Sequence, residues 1–441
     1  MRNQYRHLFI LCLLVAVGSF AMGFAAKRYS AQKPGSRQMW LASLTGGRGL
    51  ASSPSQTFAA VLESVEDSFV DKINDEKPLS YGALRQMMDE LDDPNSRFLD
   101  PEETRAMLDA EDGLFHGIGA VIHIEATHSA DGERRRAIVA GVLPGSPAQK
   151  AGLRRDDVIA QIDNKWVFQP YLTLPVAPRQ PDGKLGAAVQ PEKPDEEDFR
   201  DPEDFISFST HDILKPLSTD SRTVSLLLLG PQEKALERVD IQTAPTAVRA
   251  AQVVMVKDGV AEVRIGGLTK TIGPELDAAL GEVKRSGARQ LVLDLRGCVG
   301  GPVDRMVQVG SRFVDGPLGS LDRKQNGRMT KVPLTAHRTD NAWTGPMVVL
   351  VDRGTLGTAE MLAGALAAKG RATLVGERTF GDGLEHSLIT LRDGSSLLMT
   401  TGKFFGVKGD TFQAKGIVPG VAVASTPEQD SAARRVLARK G

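Results

Sequence analysis

The chain has 441 residues, of which 41% are hydrophobic and 25% are charged. This is the composition of ordinary globular protein, with room for about two or three domains. The formal net charge of -1 gives no support for nucleic acid as a partner. The two cysteines, Cys12 and Cys298, stand in unlike contexts, which excludes a disulfide framework.

The N-terminal segment has the pattern of an export signal. Residues 8–26 are apolar or small and carry no charge, and basic residues stand on both sides of them. As a helix rising about 1.5 Å per residue, this stretch covers about 28 Å, enough to cross a bilayer. We predict that residues 1–28 are a membrane anchor or a cleaved signal. Residues 29–55, rich in Ser, Gly, Gln and Pro, are predicted to form a flexible linker.

Residues 56–112 are predicted to be helical, because their apolar residues recur at helical spacing. One apolar face is formed by Phe58, Val61, Leu62, Val65, Phe69 and Val70, and a second by Leu84, Met87, Met88 and Leu91. The turn LDDPNSRFLDPEE leads to a further short helix.

Residues 113–245 change to strands and turns. Residues 145–164 read as a turn, a short helix and a strand, and residues 224–229 as a closing strand. This succession resembles a PDZ domain. The resemblance implies a glycine loop whose N–H groups bind a peptide's terminal carboxylate while the peptide adds to the sheet edge as a strand. The alternative is a folded module without a ligand. The loop residues are Phe115, His116, Gly117, Ile118 and Gly119.

An acidic, proline-rich insertion occupies about residues 170–205 of this region. It stands where a PDZ domain usually has the helix that forms the second wall of the groove. Such composition predicts a solvated loop, and a gate over the groove is the alternative. A helix within Asp201–Leu217, capped by Asp201, is expected to replace the wall.

Residues 246–425 alternate strands and helices, which predicts a parallel or mixed α/β sheet. Residues 426–441 are described as a C-terminal tail. The stretch from Val348 to His386 reads as strand, glycine turn, helix, strand and glycine turn. A strand that passes to a helix through a glycine elbow is where α/β enzymes expose a nucleophile. This elbow, residues 354–358, contains no serine or cysteine.

Taken together, residues 56–423 resemble the carboxy-terminal processing peptidases, or tail-specific proteases. The resemblance implies an α+β / α/β multidomain fold: a helical N-terminal part, an inserted PDZ domain and a core like those of crotonase and ClpP. It also implies a membrane-attached or periplasmic bacterial protein. Active relatives cut proteins near their C-termini with a serine nucleophile and a lysine base. The motifs that carry the resemblance are LDDPNSRFLDPEE, GSPAQKAGLRRDDVIAQID, LVLDLRGCVGG, AEMLAGALAAKGRATLVGERTFG and GIVPG.

The catalytic positions of that family are changed in this chain. The flanking motifs put Gly357 at the serine position, Asp382 at the lysine position and His386 at the glutamine position. Glycine has no nucleophile, and an ionised aspartate is a far weaker base than a neutral lysine. The oxyanion donors are backbone groups and are expected to remain, from Thr358 and from Gly300 or Gly301.

Two other chemistries involve residues of this site. Cys298, with His386 and Asp382 expected nearby, forms a conceivable Cys-His-Asp set; the alternative is a buried cysteine that fills space. Asp382, Glu360 and His386 match no recognised metal-ligand motif. No metal and no cofactor are predicted.

The sequence thus predicts a pseudopeptidase attached to the periplasmic side of the bacterial inner membrane through residues 8–26, or exported after cleavage of its leader. Its expected partners are protein C-termini or unfolded polypeptide, or an active peptidase or other envelope enzyme that it regulates or scaffolds. The alternative is an active endopeptidase of the same family with a displaced nucleophile, Cys298 or Thr358.

Overall fold

A computed structural model describes most of the chain beyond the linker. The predicted anchor, nearly all of the linker and most of the insertion lie outside the described residues. None of the helices in the described part is long and apolar enough to cross a membrane. The chain divides into two compact units, Met1–Ser80 and Tyr81–Gly441. The described residues are 53–129, 132–167, 176–179, 209–229, 236–325 and 327–439.

The helices agree closely with the periodic stretches of the sequence. In the first unit, α1 begins after a Ser53 capping box, and within the described part of the chain it buries none of its side chains. The helices are α1 (Pro54–Ser68), α2 (Lys77–Asp89), α3 (Pro101–Glu111), α4 (Pro147–Lys150), α5 (Thr210–Ser218), α6 (Ile272–Arg285), α7 (Val303–Gly310), α8 (Thr358–Ala368) and α9 (Thr426–Ala438).

The strands fall into four sheets. Numbered along the described chain, they are β1 (Arg97–Leu99), β2 (Leu114–Phe115), β3 (Ala120–Ser129), β4 (Gly132–Val142), β5 (Val158–Ile162), β6 (Lys165–Trp166), β7 (Val176–Pro178), β8 (Thr223–Leu229), β9 (Leu236–Gln242), β10 (Thr246–Ala247), β11 (Ala251–Lys257), β12 (Val260–Ile265), β13 (Gln290–Asp294), β14 (Gly316–Gln325), β15 (Arg328–Ala336), β16 (Met347–Val351), β17 (Thr373–Gly376), β18 (Leu384–Thr390), β19 (Ser396–Phe405) and β20 (Val421–Ala422).

The largest core surrounds a six-stranded sheet of order β11-β12-β13-β16-β17-β20. Its strands from β12 to β20 run parallel, and β11 is antiparallel. All five residues of β16 are buried, as expected for a strand covered on both faces. A second core sheet has the order β1-β19-β14-β15, with β18 also paired to β19.

The C-terminal segment that we described as a tail is largely a helix. In α9, Ala432, Ala433 and Leu437 are buried in the same apolar cluster as Val348 and Leu350 of β16. The segment therefore covers one face of the parallel sheet, and the description as a tail is wrong for Thr426–Ala438.

The PDZ-like sheet has the order β3-β4-β5-β8-β9-β7. Strand β3, which follows the glycine loop, lies at one end of this order and β7 at the other. Helix α5 is capped by Ser209, and all but its last residue lies within the span where the sequence predicted a helix. The predicted cap, Asp201, lies outside the described residues. Its Ile213 and Leu217 share an apolar cluster with Ile118 and Ile124 beside β3.

Part of the insertion is an ordered strand rather than a solvated loop. β7 pairs in parallel with β9. The next residue, Arg179, is buried and binds Asp157 (2.5 Å) and Glu237 through ion pairs. Because β7 lies at the opposite end of the sheet from β3, this described part of the insertion does not cover the β3 edge.

Candidate functional site

The elbow between β16 and α8 has the backbone of a nucleophile turn. Gly357 has φ 61° and ψ -127°, a conformation that strains any residue with a side chain. An ideal Cβ placed on Gly357 lies 3.8 Å from Asp382 Oδ2 and 4.0 Å from the Val299 carbonyl oxygen. The position is therefore open, and a carboxylate faces the place where a nucleophile would stand.

Glu360 joins the elbow to the second glycine turn. Its Oε2 accepts hydrogen bonds from the N–H groups of Gly357 (3.1 Å) and Asp382 (2.8 Å). Its Oε1 accepts from the Thr379 hydroxyl (2.5 Å) and the Gly381 N–H (2.7 Å). Burial raises the pKa of Glu360 to about 7, and the four donors act against that rise. The buried Glu360 carboxylate thus holds the elbow and the second glycine turn together. The sequence analysis did not assign this role to Glu360.

The residues at the lysine and glutamine positions lie together. His386 Nε2 is 3.6 Å from Asp382 Oδ2, and His386 Nδ1 is 3.2 Å from the Thr400 hydroxyl. The structure therefore brings Gly357, Asp382 and His386 to one place. The side chains found there are a carboxylate and an imidazole.

The PDZ-like domain contacts this place directly. The imidazole of His123, on β3, packs edge-on against Phe380, with ring centroids 4.5 Å apart. Burial lowers the pKa of His123, while the charges of Glu125 and Asp382 oppose that change. A single sequence contains no signal that pairs a strand of one domain with a turn of another.

A second link joins the two domains through Arg155. Its guanidinium binds Asp352 Oδ2 (2.7 Å) and Glu377 Oε2 (2.5 Å), at the ends of β16 and β17. Asp352 Oδ1 in turn accepts hydrogen bonds from the N–H groups of Gly297 and Gly354. The turn of the PDZ-like domain that carries Arg155 therefore supports, through Asp352, the two loops that contain Gly297 and Gly354.

One of the three predicted oxyanion donors, the Gly301 N–H, is engaged by a side chain. Gly301 N–H donates to Thr358 Oγ1 (2.9 Å), whose hydroxyl donates back to the Gly301 carbonyl (2.8 Å). Thr358 N–H, in the first turn of α8, has no hydrogen-bond partner among the described residues. The backbone apparatus is thus less intact than we expected.

The displaced nucleophiles do not have the geometry that catalysis needs. The Cys298 side chain is fully buried, and burial raises the pKa of its thiol to about 12. Cys298 lies in the apolar core cluster, whereas His386 lies beside Asp382 and Thr400, and no hydrogen bond joins Cys298 to either His386 or Asp382 in the described part of the chain. The Thr358 hydroxyl accepts a hydrogen bond from the Gly301 N–H and donates one to the Gly301 carbonyl oxygen. A thiol at this pKa supplies almost no thiolate near neutral pH.

The predicted carboxylate-binding loop already holds a carboxylate. Asp220, in the turn after α5, accepts from Gly117 N–H (2.7 Å) and lies 2.5 Å from His116 Nδ1. Asp109 Oδ2 is 2.9 Å from His116 Nε2. With a carboxylate on each ring nitrogen, the pKa of His116 is raised, chiefly by the bond to Asp220. Asp220 was missed because only the fold brings it to the loop.

The other loop residues are built into the domain. Ile118 N–H donates to the Leu217 carbonyl (2.9 Å), and Phe115 belongs to β2, which pairs with β10. A Cβ on Gly119 would lie 2.4 Å from that of Ser146, so only glycine fits there. As for metal, no group of three His, Cys, Asp or Glu side chains in the described part of the chain is placed to hold an ion.

Comparisons with known proteins identify the family. The Peptidase family S41 model matches residues 259–423, and a PDZ domain model matches residues 138–171. The Carboxyl-terminal-processing protease of Synechocystis sp. is 30% identical over 346 residues, which cover 78% of this chain and 71% of that protein. The chain belongs to the carboxyl-terminal-processing proteases of Peptidase family S41.

A second relative and a solved structure are also similar to the chain. The Carboxy-terminal processing protease CtpA of Bacillus subtilis is 28% identical, over 81% of this chain and 66% of its own length. The chain thus spans slightly under two thirds of that relative. A solved structure, the photosystem II D1 C-terminal processing protease, matches 88% of this chain and 97% of its own with a TM-score of 0.59 and 24% identity. It supports the multidomain fold predicted from the sequence.

Proposed function

We propose that this S41 member holds polypeptide without cutting it. The observation that carries the proposal is the elbow, where Gly357 has no side chain and the group facing it is the Asp382 carboxylate. A serine peptidase needs a nucleophile and a neighbour that removes its proton. The elbow residue offers nothing to attack with, and the facing group is a poor base near neutral pH.

The charge at the elbow also opposes the reaction. Amide hydrolysis builds a negative charge on the carbonyl oxygen, which donors aimed at that oxygen must stabilise. Here Gly301 N–H already has Thr358 Oγ1 as its acceptor. The Asp382 carboxylate would repel the oxyanion at short range. Both features support the proposal that the chain does not hydrolyse peptide bonds.

Polypeptide binding is supported by the PDZ-like sheet. β3 ends the order of that sheet, so its outer edge pairs with no strand in the described part of the chain. An exposed edge strand accepts an extended peptide through main-chain hydrogen bonds. His123 on β3 contacts Phe380, so a segment bound to β3 would lie beside the elbow.

The setting of this activity is part of the proposal. Residues 8–26 would anchor the chain, or direct its export, so that the folded part works on the periplasmic side of the inner membrane. There it would bind protein C-termini or unfolded polypeptide, or regulate an active peptidase or other envelope enzyme. Membrane fractionation of cells expressing the full chain tests this. Recovery in the cytosolic fraction would contradict it.

The absence of cleavage can be tested with the full chain in detergent. A dye-labelled unfolded protein should release no labelled fragments, and serine- and cysteine-directed covalent probes should leave Cys298 and Thr358 unmodified. Cys298→Ala and Thr358→Ala should behave as the parent does. Turnover by the parent that disappears in either variant would establish a displaced nucleophile instead.

A further inference from the structure

The PDZ-like loop is filled by a side chain of its own domain. Of the consecutive N–H groups of Gly117, Ile118 and Gly119, the first donates to Asp220 Oδ1 (2.7 Å) and the second to the Leu217 carbonyl (2.9 Å). The second oxygen of Asp220 lies 2.5 Å from His116 Nδ1. A terminal carboxylate of a ligand would need the same kind of donors.

The Asp220 carboxylate is held firmly at this place. It bridges a backbone N–H and an imidazole, and that imidazole is held from its other side by Asp109 of α3 (2.9 Å). The Asp220 side chain is 22% exposed and that of His116 is 21% exposed. A second carboxylate brought to this loop would meet the charge of Asp220 at short range and in partial burial, where screening is weak.

The edge of β3 is not affected by this arrangement. Strand addition uses the main-chain groups along β3, from Ala120 onward, and does not require a chain end. Ala120 and Ile122 are partly buried against the apolar cluster that contains Ile213 and Leu217 of α5. This provides an apolar wall for alternate side chains of a bound strand.

We propose that Asp220 makes this PDZ-like domain select internal extended segments of polypeptide rather than free C-termini. Asp220 is then the residue that sets specificity, acting as an internal substitute for the terminal carboxylate. The inference rests on the proposed function, that the chain holds polypeptide, and it narrows the class of ligand. It changes the expectation that protein C-termini are the preferred partners.

The test uses three forms of one fluorescent peptide of about ten residues, with alternating valine and threonine and basic residues near its N-terminus. One form ends in a free carboxylate, one in an amide, and one continues for several glycine and serine residues. Fluorescence anisotropy with the full chain in detergent gives the three dissociation constants. We expect them to agree within about twofold, because two of the three loop N–H groups already have acceptors and the charge of Asp220 repels a second carboxylate.

Asp220→Ala should increase affinity for the carboxylate form by about tenfold, which corresponds to about 1.4 kcal/mol, and leave the other two forms unchanged. Asp220→Asn, which keeps the shape without the charge, serves if the alanine variant does not fold. Asp240→Asn is the matched control, since Asp240 is an exposed residue of β9 in the same sheet.

The outcomes separate this inference from the proposed function. A tenfold or greater preference of the parent for the free carboxylate would overturn the role of Asp220 and leave polypeptide binding intact. Equal changes for all three forms in Asp220→Ala would also overturn it. Absence of binding of every form to every folded variant would overturn the proposed function, and the inference with it.

Discussion

At the residue scale, the elbow has at Gly357 a backbone conformation that strains any residue with a side chain, and Gly357 carries none. A Cβ on Gly357 would meet no atom closer than 3.8 Å, so space does not require glycine there. The requirement comes from φ 61° and ψ -127°. Only glycine adopts this conformation without cost.

Gly357→Ala is therefore expected to lower the free energy of unfolding by about 1–3 kcal/mol through backbone strain alone. Gly82→Ala, in α2 and with open space around its Cβ position, is the control, and it should be neutral or stabilising. Chemical denaturation measures both. An unchanged midpoint for Gly357→Ala would mean that the elbow relaxes to an ordinary turn.

Glu360 gives a second prediction at this scale. Each of its oxygens accepts two donors. In Glu360→Gln an amide NH₂ would face two of those donors, leaving them unsatisfied. We expect a loss of about 2–6 kcal/mol in the free energy of unfolding, from roughly 1–3 kcal/mol for each of the two buried unpaired donors.

The exposed Glu282→Gln in α6 is the matched control for this change and should stay within about 0.5 kcal/mol of the parent. Equal stability of the two variants would show that the carboxylate does not organise the two turns.

The oxyanion geometry predicts how activity would return. Gly357→Ser with Asp382→Lys restores the nucleophile and base, but Gly301 N–H stays bound to Thr358 Oγ1. Adding Thr358→Ala frees that donor. The triple variant should cleave an unfolded substrate at least about 100-fold faster than the double variant, the effect of one oxyanion donor. Equal cleavage rates in the double and triple variants, or no cleavage by either, would contradict the assignment of Gly301 N–H as an oxyanion donor that Thr358 occupies.

The sequence was sufficient to locate the elbow, because the motifs on both sides of it fix which residues stand at the catalytic positions. The motifs put Gly357 at the serine position and Asp382 at the lysine position, and in the structure Asp382 Oδ2 lies 3.8 Å from an ideal Cβ on Gly357. The capture of Gly301 N–H by Thr358 and the filling of the loop by Asp220 were not predictable. Both depend on side-chain positions of residues that are 57 and 103 places apart in the chain.

At the element scale, most helices and strands follow from periodicity, and the differences come from tertiary packing. The C-terminal residues 426–438 have a modest apolar face, so they were described as a tail, yet α9 covers the parallel sheet. β7 is a short strand in a proline-rich stretch. It is fixed by Arg179, whose buried ion pairs only the fold reveals.

Arg179→Ala should release β7 and destabilise the adjoining β9. Because Asp157 and Glu237 would be left without their shared cation in a buried place, we expect a cost of about 3–5 kcal/mol. Hydrogen exchange of the β9 amides measures it. Arg238→Ala, an exposed arginine in β9 itself, is the control. If the β9 amides of Arg179→Ala exchange as slowly as those of the parent, β9 does not depend on the ion pairs of Arg179.

At the scale of the whole molecule, the multidomain fold of the family is kept, while Gly357 and Asp382 stand at the predicted serine and lysine positions. Arg155 and His123 connect the PDZ-like domain to the two loops of the elbow. Family membership does not decide between a peptidase and a binding protein, because the change lies in a few side chains of an intact fold.

The most direct test combines binding and intact mass. The full chain is incubated with a reduced, alkylated protein that cannot refold, separated by size exclusion and analysed by mass spectrometry, with an active S41 relative as the positive control. We predict that the substrate elutes with the chain and keeps its full mass. Fragments produced by the parent chain, or a substrate that never elutes with it, would contradict the account.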